Sequence, residues 1–317
     1  MPSENRYLDP AWWADVPSKV HKTTHHYARR SLEAARRARW RRNRTVTPAP
    51  VFVVGCSRSG TTIVKHTLAR SAELTSIPAE SFDFWGSVVN PASRGWDSDV
   101  ATREDATAEI IDRCREHYYG KLGGGRFLDK TCINGFKVPF LQAIWPDARF
   151  VYLRRDGRDN INSLIHGWQR HEQFKLYQLP VKTGLEGIPE GRWCFFLEPG
   201  WREVLGTNLA RVCAHQWVSI NQALLDARPQ VDPSRWIELR YEDLFHRPEA
   251  MFEEAFERLE LRFDDATREH CRNIADNKVS LAGTAPAPEK WKTQNREAIE
   301  SILPEIAGMM QRLGYSE

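Results

Sequence analysis

Residues 51–62 read VFVVGCSRSGTT, and the rest of the chain is placed relative to them. Pro50 and the four apolar residues Val51 to Val54 predict a short buried strand bounded by breakers. Gly55 ends the strand, and Gly60 permits close backbone approach just before a helical pattern starts. From about Gly60 to Arg70 that pattern puts Ile63, Val64, Thr67 and Leu68 on one face. Strand, tight glycine-bounded loop and helix N-terminus together make an anion cradle. The free amides of Ser59 to Thr62 and the positive end of the helix dipole both favour an oxyanion. Arg58 adds a cation within the loop, and Thr61 and Thr62 add hydroxyl donors.

Gly55 and Gly60 keep the G-x-x-x-x-G spacing of a nucleoside-triphosphate loop, but Thr61 stands where that loop has lysine. That lysine reaches the β- and γ-phosphates, so its absence argues against ordinary ATP or GTP hydrolysis. A strand–turn–helix corner with no ligand is the plainer alternative, and the loop gains weight from the motifs downstream of it.

With 317 residues, 41% hydrophobic and 27% charged, the chain has ample core for one large α/β domain or two small ones. No apolar run approaches the roughly 18–20 residues that span a bilayer, and the start, MPSENRYLDP, has no apolar signal core. The six cysteines are scattered without a C-x-x-C pair, which reads as reduced cytosolic thiols with no metal or disulfide framework. The expected location is therefore cytoplasmic, with a membrane-peripheral arm as a variant.

That variant comes from an uneven charge. Lys19 to Arg44 holds ten Lys or Arg against one Glu, a net +9, and leaves about −6 for the remainder of a chain whose total is +3. Such a run suits anionic lipid, nucleic acid or an acidic partner. Its apolar residues (Val20, Tyr27, Leu32, Trp40) are too few for a strong membrane-lying helix. A solvated helix leaning on the main fold is the plainer reading; a weak anionic membrane contact through residues 19–44 is the alternative, and no specific nucleic acid is expected. Residues 1–47 are taken as this helical arm, which Trp12 and Trp13 anchor, and 48–317 as the main domain.

Residues 76–96 are rich in Pro, Gly, Ser and Asn, which predicts a loop, yet they carry Phe82, Phe84, Trp85 and Trp96. Aromatics beside an anion site suggest an acceptor pocket. Glu80 lies eighteen residues after Thr62, where one short helix returns the chain to the loop. A carboxylate near a phosphate-type site needs a reason: general base is one, a salt bridge to a nearby arginine the other. A helix over 104–122 precedes a short strand from Arg126 to Lys130, whose end points Lys130 back over the loop. ARFVYLRRDGRDNINSLIHGW then predicts a second strand–helix unit, with Arg154, Arg155 and Arg158 at the strand end and Ser163 two turns into the helix. Arginine and a hydroxyl there suit a second phosphate; a structural Arg–Asp network through Asp156 and Asp159 is the alternative. Residues 171–204 read as a long aromatic lid or binding loop. Helices near 205–227, 248–259, 264–276 and 294–313 and a strand over Trp236 to Leu239 complete the pattern.

Two anion sites on strand–helix units, without the triphosphate lysine, resemble the sulfotransferases that use 3′-phosphoadenosine 5′-phosphosulfate (PAPS). The resemblance runs from about Val51 to Tyr315 and rests on SRSGTT at 57–62, RRDGRDNINS at 154–163, RYEDL at 240–244 and the KW…LGY ending at 290–315. It implies an α/β, P-loop-like three-layer fold with a central, mainly parallel sheet flanked by helices. It also implies that Arg58, Ser59, Gly60, Thr61 and Thr62 hold the 5′-phosphosulfate, and that Arg155 and Ser163 hold the 3′-phosphate. By the same resemblance Tyr241 lies near the adenine, and Ser280 and Trp291 lie in a late loop over the cofactor.

Arg58 in place of a loop lysine, and Cys132 after Lys130-Thr131 where the cytosolic branch has its histidine base, make the chain more similar to the tyrosylprotein and carbohydrate branches. The resemblance to the tyrosylprotein branch, whose base is a glutamate some eighteen residues past the loop, implies Glu80 as base and Lys130 as catalytic cation, with no metal. The implied reaction is sulfuryl transfer from PAPS to a hydroxyl of a sugar, glycolipid or small metabolite. A peptide tyrosine acceptor, a P-loop kinase or NTPase, and a binding protein using the basic arm are the competing readings.

Overall fold

The computed structural model describes residues 10–274 and 287–315, with side chains given for residue 24 and from residue 26 onward. Ser280 and the side chains of Trp12 and Trp13 lie outside the described residues.

Strand β1 (Val51–Val54) is buried along its whole length. Its residues alternate between two cores, as the two-residue period of a strand requires. Phe52 faces Phe127, Trp145 and Phe150 at ring distances of 5.6–5.8 Å. Val51 and Val53 face the opposite side, in the cluster that holds Val151, Leu239 and Phe252. Trimming Phe52 to alanine would cost about 3–5 kcal/mol, the usual range for a fully buried aromatic.

Five parallel strands form the sheet, in the order β2 (Thr75–Ser76), β3 (Phe127–Asp129), β1, β4 (Arg149–Arg154), β7 (Trp236–Arg240). Chain order reverses on either side of β1, so a crevice opens at the carboxyl ends of β1, β3 and β4, where α/β sheets bind ligands. Helices α2 (Thr61–Leu68) and α6 (Gly157–Gln169) leave the carboxyl ends of β1 and β4, as the apolar periodicity predicts.

The basic segment forms part of helix α1 (Pro10–Asn43), which packs on α4 (Ala108–Leu122). Arg41 Nη2 lies 2.8 Å from Glu116, Lys121 Nζ lies 3.2 Å from Glu33, and Arg44 pairs with Asp112. Arg36 donates to the Lys121 carbonyl at 3.1 Å. Trp40 anchors this end in the core. Part of the positive charge is thus paired with α4.

Two segments expected to be irregular are ordered elements. Within 76–96 lie α3 (Phe82–Val88) and a 3-10 turn, Pro91–Arg94. Trp85 is fully buried against Tyr118 and Phe140, so it belongs to the core and leaves Phe82 to line the crevice. Within 171–204, β5 (Lys175–Gln178) and β6 (Arg192–Cys194) pair as an antiparallel hairpin. Trp193, Phe196 and Trp201 serve the core, while Phe174, Leu176 and Phe195 face the crevice. Helix α5 (Val138–Ile144) and the helix Leu209–Ala227 pack behind this layer. The second starts at Leu209, later than its periodicity suggests, because the Asn208 side chain accepts from the Arg211 amide at 2.9 Å and caps it.

Candidate active site

Both loop glycines are demanded by close approach. A Cβ on Gly55 would stand 2.6 Å from the Leu153 carbonyl, and one on Gly60 would stand 2.7 Å from the Tyr241 ring. Gly60, at φ +102°, is the N-cap of α2, and no side chain caps that helix, which leaves its first amides available to an oxyanion. Arg58 itself takes a left-handed φ of +67°. The Ser59 hydroxyl is buried without a protein partner, and so is Arg155 Nε. Of these two, Arg155 borders the cavity, and its unmet donor fits an oxygen of a phosphate.

The two anion sites expected from the sequence open on one cavity of about 700 Å³, lined by Arg58, Thr61 and Thr62 together with Arg155, Ser163 and Tyr241. Arg58 Nε donates to Ser163 Oγ at 3.3 Å, and Arg155 Nη1 donates to the Arg58 carbonyl at 2.9 Å. The Arg155 guanidinium lies 4.0 Å from the Tyr241 ring centroid, and that of Arg58 lies 5.0 Å from Phe174. Burial, with the neighbouring charges of Arg170 and Arg155, pulls Arg58 down to about 10. Like charges held together in a half-buried space favour an anion between them. Arg154 and Arg158 turn elsewhere: Arg154 donates to the Leu313 carbonyl at 2.7 Å, and Arg158 pairs with Asp156 at 2.7 Å.

Across the same cavity stands Glu80. One carboxylate oxygen accepts from Lys130 Nζ, and the other accepts from the Cys132 amide at 2.9 Å. Beneath this pair is the buried Asp129 carboxylate, which accepts from Asn134 at 2.6 Å, Thr131 at 3.2 Å and Ser81 at 3.3 Å. The Ser81 amide in turn donates to Thr131 Oγ1 at 3.0 Å. The end of β3 therefore fixes both the cation and the segment that carries the carboxylate. Burial, reinforced by the charge of Glu80, pushes the Cys132 thiol well up, and it donates to the Phe195 carbonyl at 3.2 Å.

Phe195 holds an unusual left-handed φ of +69° and lies 5.4 Å from Phe174. The wall next to the carboxylate thus runs from Cys132 through Phe195 to Phe174. Ser59 and Trp291, named from the sequence, do not line the cavity. Ser59 sits under the loop, while the Trp291 ring packs into the core. Its neighbours Lys290 and Gln294 reach the cavity instead. That segment is bound to α6, because Asp159 accepts the amides of Glu289 at 2.6 Å and Trp291 at 3.3 Å. Arg170 and Gln173 also line the cavity, and no local pattern in the sequence marks them, whereas Lys290 opens the KW…LGY ending.

A sequence model of the sulfotransferase family matches residues 50–184 and 193–265, spanning the anion loop, Glu80, Lys130, Arg155, Ser163 and Tyr241. The chain belongs to the sulfotransferase family. Among relatives, this sulfotransferase is 21% identical to protein-tyrosine sulfotransferase A of Caenorhabditis elegans over 84% of the chain and 67% of that protein. It is 26% identical to the omega-hydroxy-beta-dihydromenaquinone-9 sulfotransferase Stf3 of Mycobacterium bovis over 58% of the chain and 44% of that protein. The sulfotransferase STF9 from Mycobacterium avium shares the fold, with a TM-score of 0.56 at 14% identity, covering 88% of this chain and 81% of that one. The P-loop-like α/β architecture expected from the sequence is the one observed, and the enzyme is a transferase of sulfur-containing groups. No described helix is long and apolar enough to cross a membrane.

Proposed function

We propose that this sulfotransferase takes its sulfuryl group from PAPS and delivers it to a hydroxyl of a glycolipid, sugar or small metabolite, with Glu80 as general base. The observation that carries this reading is the convergence of Arg58, Arg155 and the Glu80–Lys130 pair on one cavity. The first amides of α2, with Thr61, Thr62 and Arg58, would hold the 5′-phosphosulfate, over a loop that the buried Ser59 supports from beneath. Arg155 and Ser163 would hold the 3′-phosphate, and Tyr241 would flank the adenine. PAPS, when bound, supplies an activated sulfuryl group on a phosphate leaving group.

The chain's own residues do the rest. Glu80 accepts the acceptor's proton on the carboxylate oxygen that Lys130 now covers. The Cys132 amide holds the other oxygen and so fixes the direction of that transfer. Lys130 and Arg58 are placed to offset negative charge as it develops, and sulfuryl transfer, like phosphoryl transfer, depends chiefly on positioning and charge. The wall of Cys132, Phe195, Phe174 and Leu176 favours acceptors whose hydroxyl sits on an apolar or aromatic body. A peptide tyrosine meets that description and is the second reading. Six unpaired cysteines accord with a reducing, cytoplasmic location. The outward arginines of α1 (Arg29, Arg30, Arg39 and Arg42), with exposed Tyr27 and Leu32, support a weak contact with anionic membrane.

Calorimetry with 3′,5′-ADP against ATP tests the donor, and labelled PAPS with glycolipid, phenol and peptide acceptors tests the transfer. Preference for ATP, or no binding of 3′,5′-ADP, would overturn the assignment.

A further inference from the structure

One buried cation next to the site takes no part in that chemistry. Lys65 lies on α2 one turn beyond Thr61, so the helix whose first turn lines the cavity carries it directly behind the anion cradle. Its side chain is 5% exposed, and no carboxylate lies within ion-pair distance of it among the described residues. Instead Nζ donates to two backbone carbonyls, Ile77 at 2.6 Å and Pro78 at 2.9 Å. A buried ammonium that gives its hydrogen bonds to neutral carbonyls is costly unless those carbonyls have to be held.

The carbonyls it holds belong to the short connection between β2 and α3, and Glu80 lies two residues beyond Pro78. From the opposite side the same connection is fixed by Thr131, through the Ser81 amide, and by the Cys132 amide on Glu80 itself. The Glu80 segment is therefore gripped between α2 and the end of β3. We propose that Lys65 is a positioning residue: it ties the base-bearing segment to the helix of the anion loop, so that the site for the donor and the base for the acceptor keep a set separation. Burial lowers the Lys65 ammonium from its ordinary range, chiefly through desolvation and then through the charge of Lys130, while Asp129 and Glu80 act the other way. The proposal rests on the reading of Glu80 as general base.

The test uses the full chain and begins without ligand. In Lys65→Met, hydrogen exchange at the Ser81 amide should quicken about 10-fold or more, while amides in β1 and β4 keep their wild-type rates. Lys65→Arg, which retains cationic donors, should recover much of that protection. By calorimetry, 3′,5′-ADP should bind Lys65→Met within about 3-fold of wild type. With PAPS and the acceptor that the panel returns, kcat should fall about 10-fold with little change in the KM for PAPS. In a Glu80→Gln background the same substitution should cost less than about 3-fold, since it acts through the group already removed.

If Lys65→Met does not fold, Lys65→Gln carries the same measurements with one neutral donor left. Unchanged exchange at Ser81 overturns the proposal, as does a loss of 3′,5′-ADP affinity in step with kcat or a full multiplicative loss on Glu80→Gln. Failure of the wild-type protein to bind 3′,5′-ADP would instead defeat the donor reading.

Discussion

Replacing Glu80 with glutamine changes one proton acceptor and little else in shape. Glutamine keeps an oxygen for the Cys132 amide, which now lies 2.9 Å from the carboxylate, and loses both the charge opposite Lys130 and the ability to take a proton. Positioned general bases contribute roughly 10²–10⁴ in rate. Arg58 and Lys130 stay in place to offset charge, so the lower part of that range applies. We expect kcat to fall about 10²–10³-fold, or about 2.7–4.1 kcal/mol of barrier at roughly 1.36 kcal/mol per decade. Lys130, with 7% of its side chain exposed, loses its anionic partner, whereas Glu80 is 26% exposed. Stability should therefore drop by only about 1–2 kcal/mol, well below the cost of breaking a fully buried pair. Single-turnover transfer from labelled PAPS at saturating acceptor measures the first effect, and thermal denaturation the second. A variant that binds 3′,5′-ADP normally and turns over at the wild-type rate would refute the assignment of the base.

Other parts of the fold carry three further expectations. Gly167→Ala places a Cβ 2.4 Å from the Phe195 ring and should displace the cavity wall. The KM for an apolar acceptor should rise several-fold with 3′,5′-ADP affinity unchanged, and stability should fall by about 1–3 kcal/mol from overpacking. His117, stacked 3.7 Å from Phe84, is lowered from 6.5 to about 4 by burial and then by Lys121, Arg37 and Arg113. The unfolded chain therefore binds the extra proton first as pH falls, so stability is full above about 6.5 and declines toward about 4. The decline attributable to this ring is about 2–4 kcal/mol, and His117→Phe should flatten it in denaturant titrations across that window. Finally, the full chain should sediment with vesicles containing phosphatidylserine at low salt and be released near 0.5 M NaCl; indifference to vesicle charge would remove the membrane contact from the reading.

What the sequence discloses is what local pattern can encode. Val51–Val54 and Phe150–Leu153 announce themselves as buried strands because four apolar residues between breakers leave few alternatives, and the helices after them are set by the spacing of Ile63, Val64 and Leu68 and of Ile161, Leu164 and Ile165. Arg58 and Arg155 are legible for a related reason, since one lies in the glycine-bounded loop after β1 and the other directly follows β4. The hairpin β5–β6 is not, because its apolar residues answer to a core on one side and a cavity on the other, which erases the alternation. The interior place of Trp85 and Trp291 is equally hidden: an indole in a Pro- and Gly-rich stretch reads as a binding residue until its neighbours are known. Lys65 carries no signal, because a lysine within a short amphipathic helix looks like any solvated one. Glu80 stands out as a carboxylate placed near an anion site, and the resemblance to the tyrosylprotein branch strengthens it; its contacts come from the residues just after β3, some fifty away in sequence.

The bond from Arg155 to the carbonyl of Arg58 makes one side chain a strut under the turn that carries the other. On the donor reading, the two ends of a bisphosphorylated nucleotide are then sensed jointly: whatever settles Arg155 also stiffens the peptide that aims Arg58. A mononucleotide would forfeit more than the contacts of its missing phosphate, and discrimination between donors would be built into the backbone as much as into the charges.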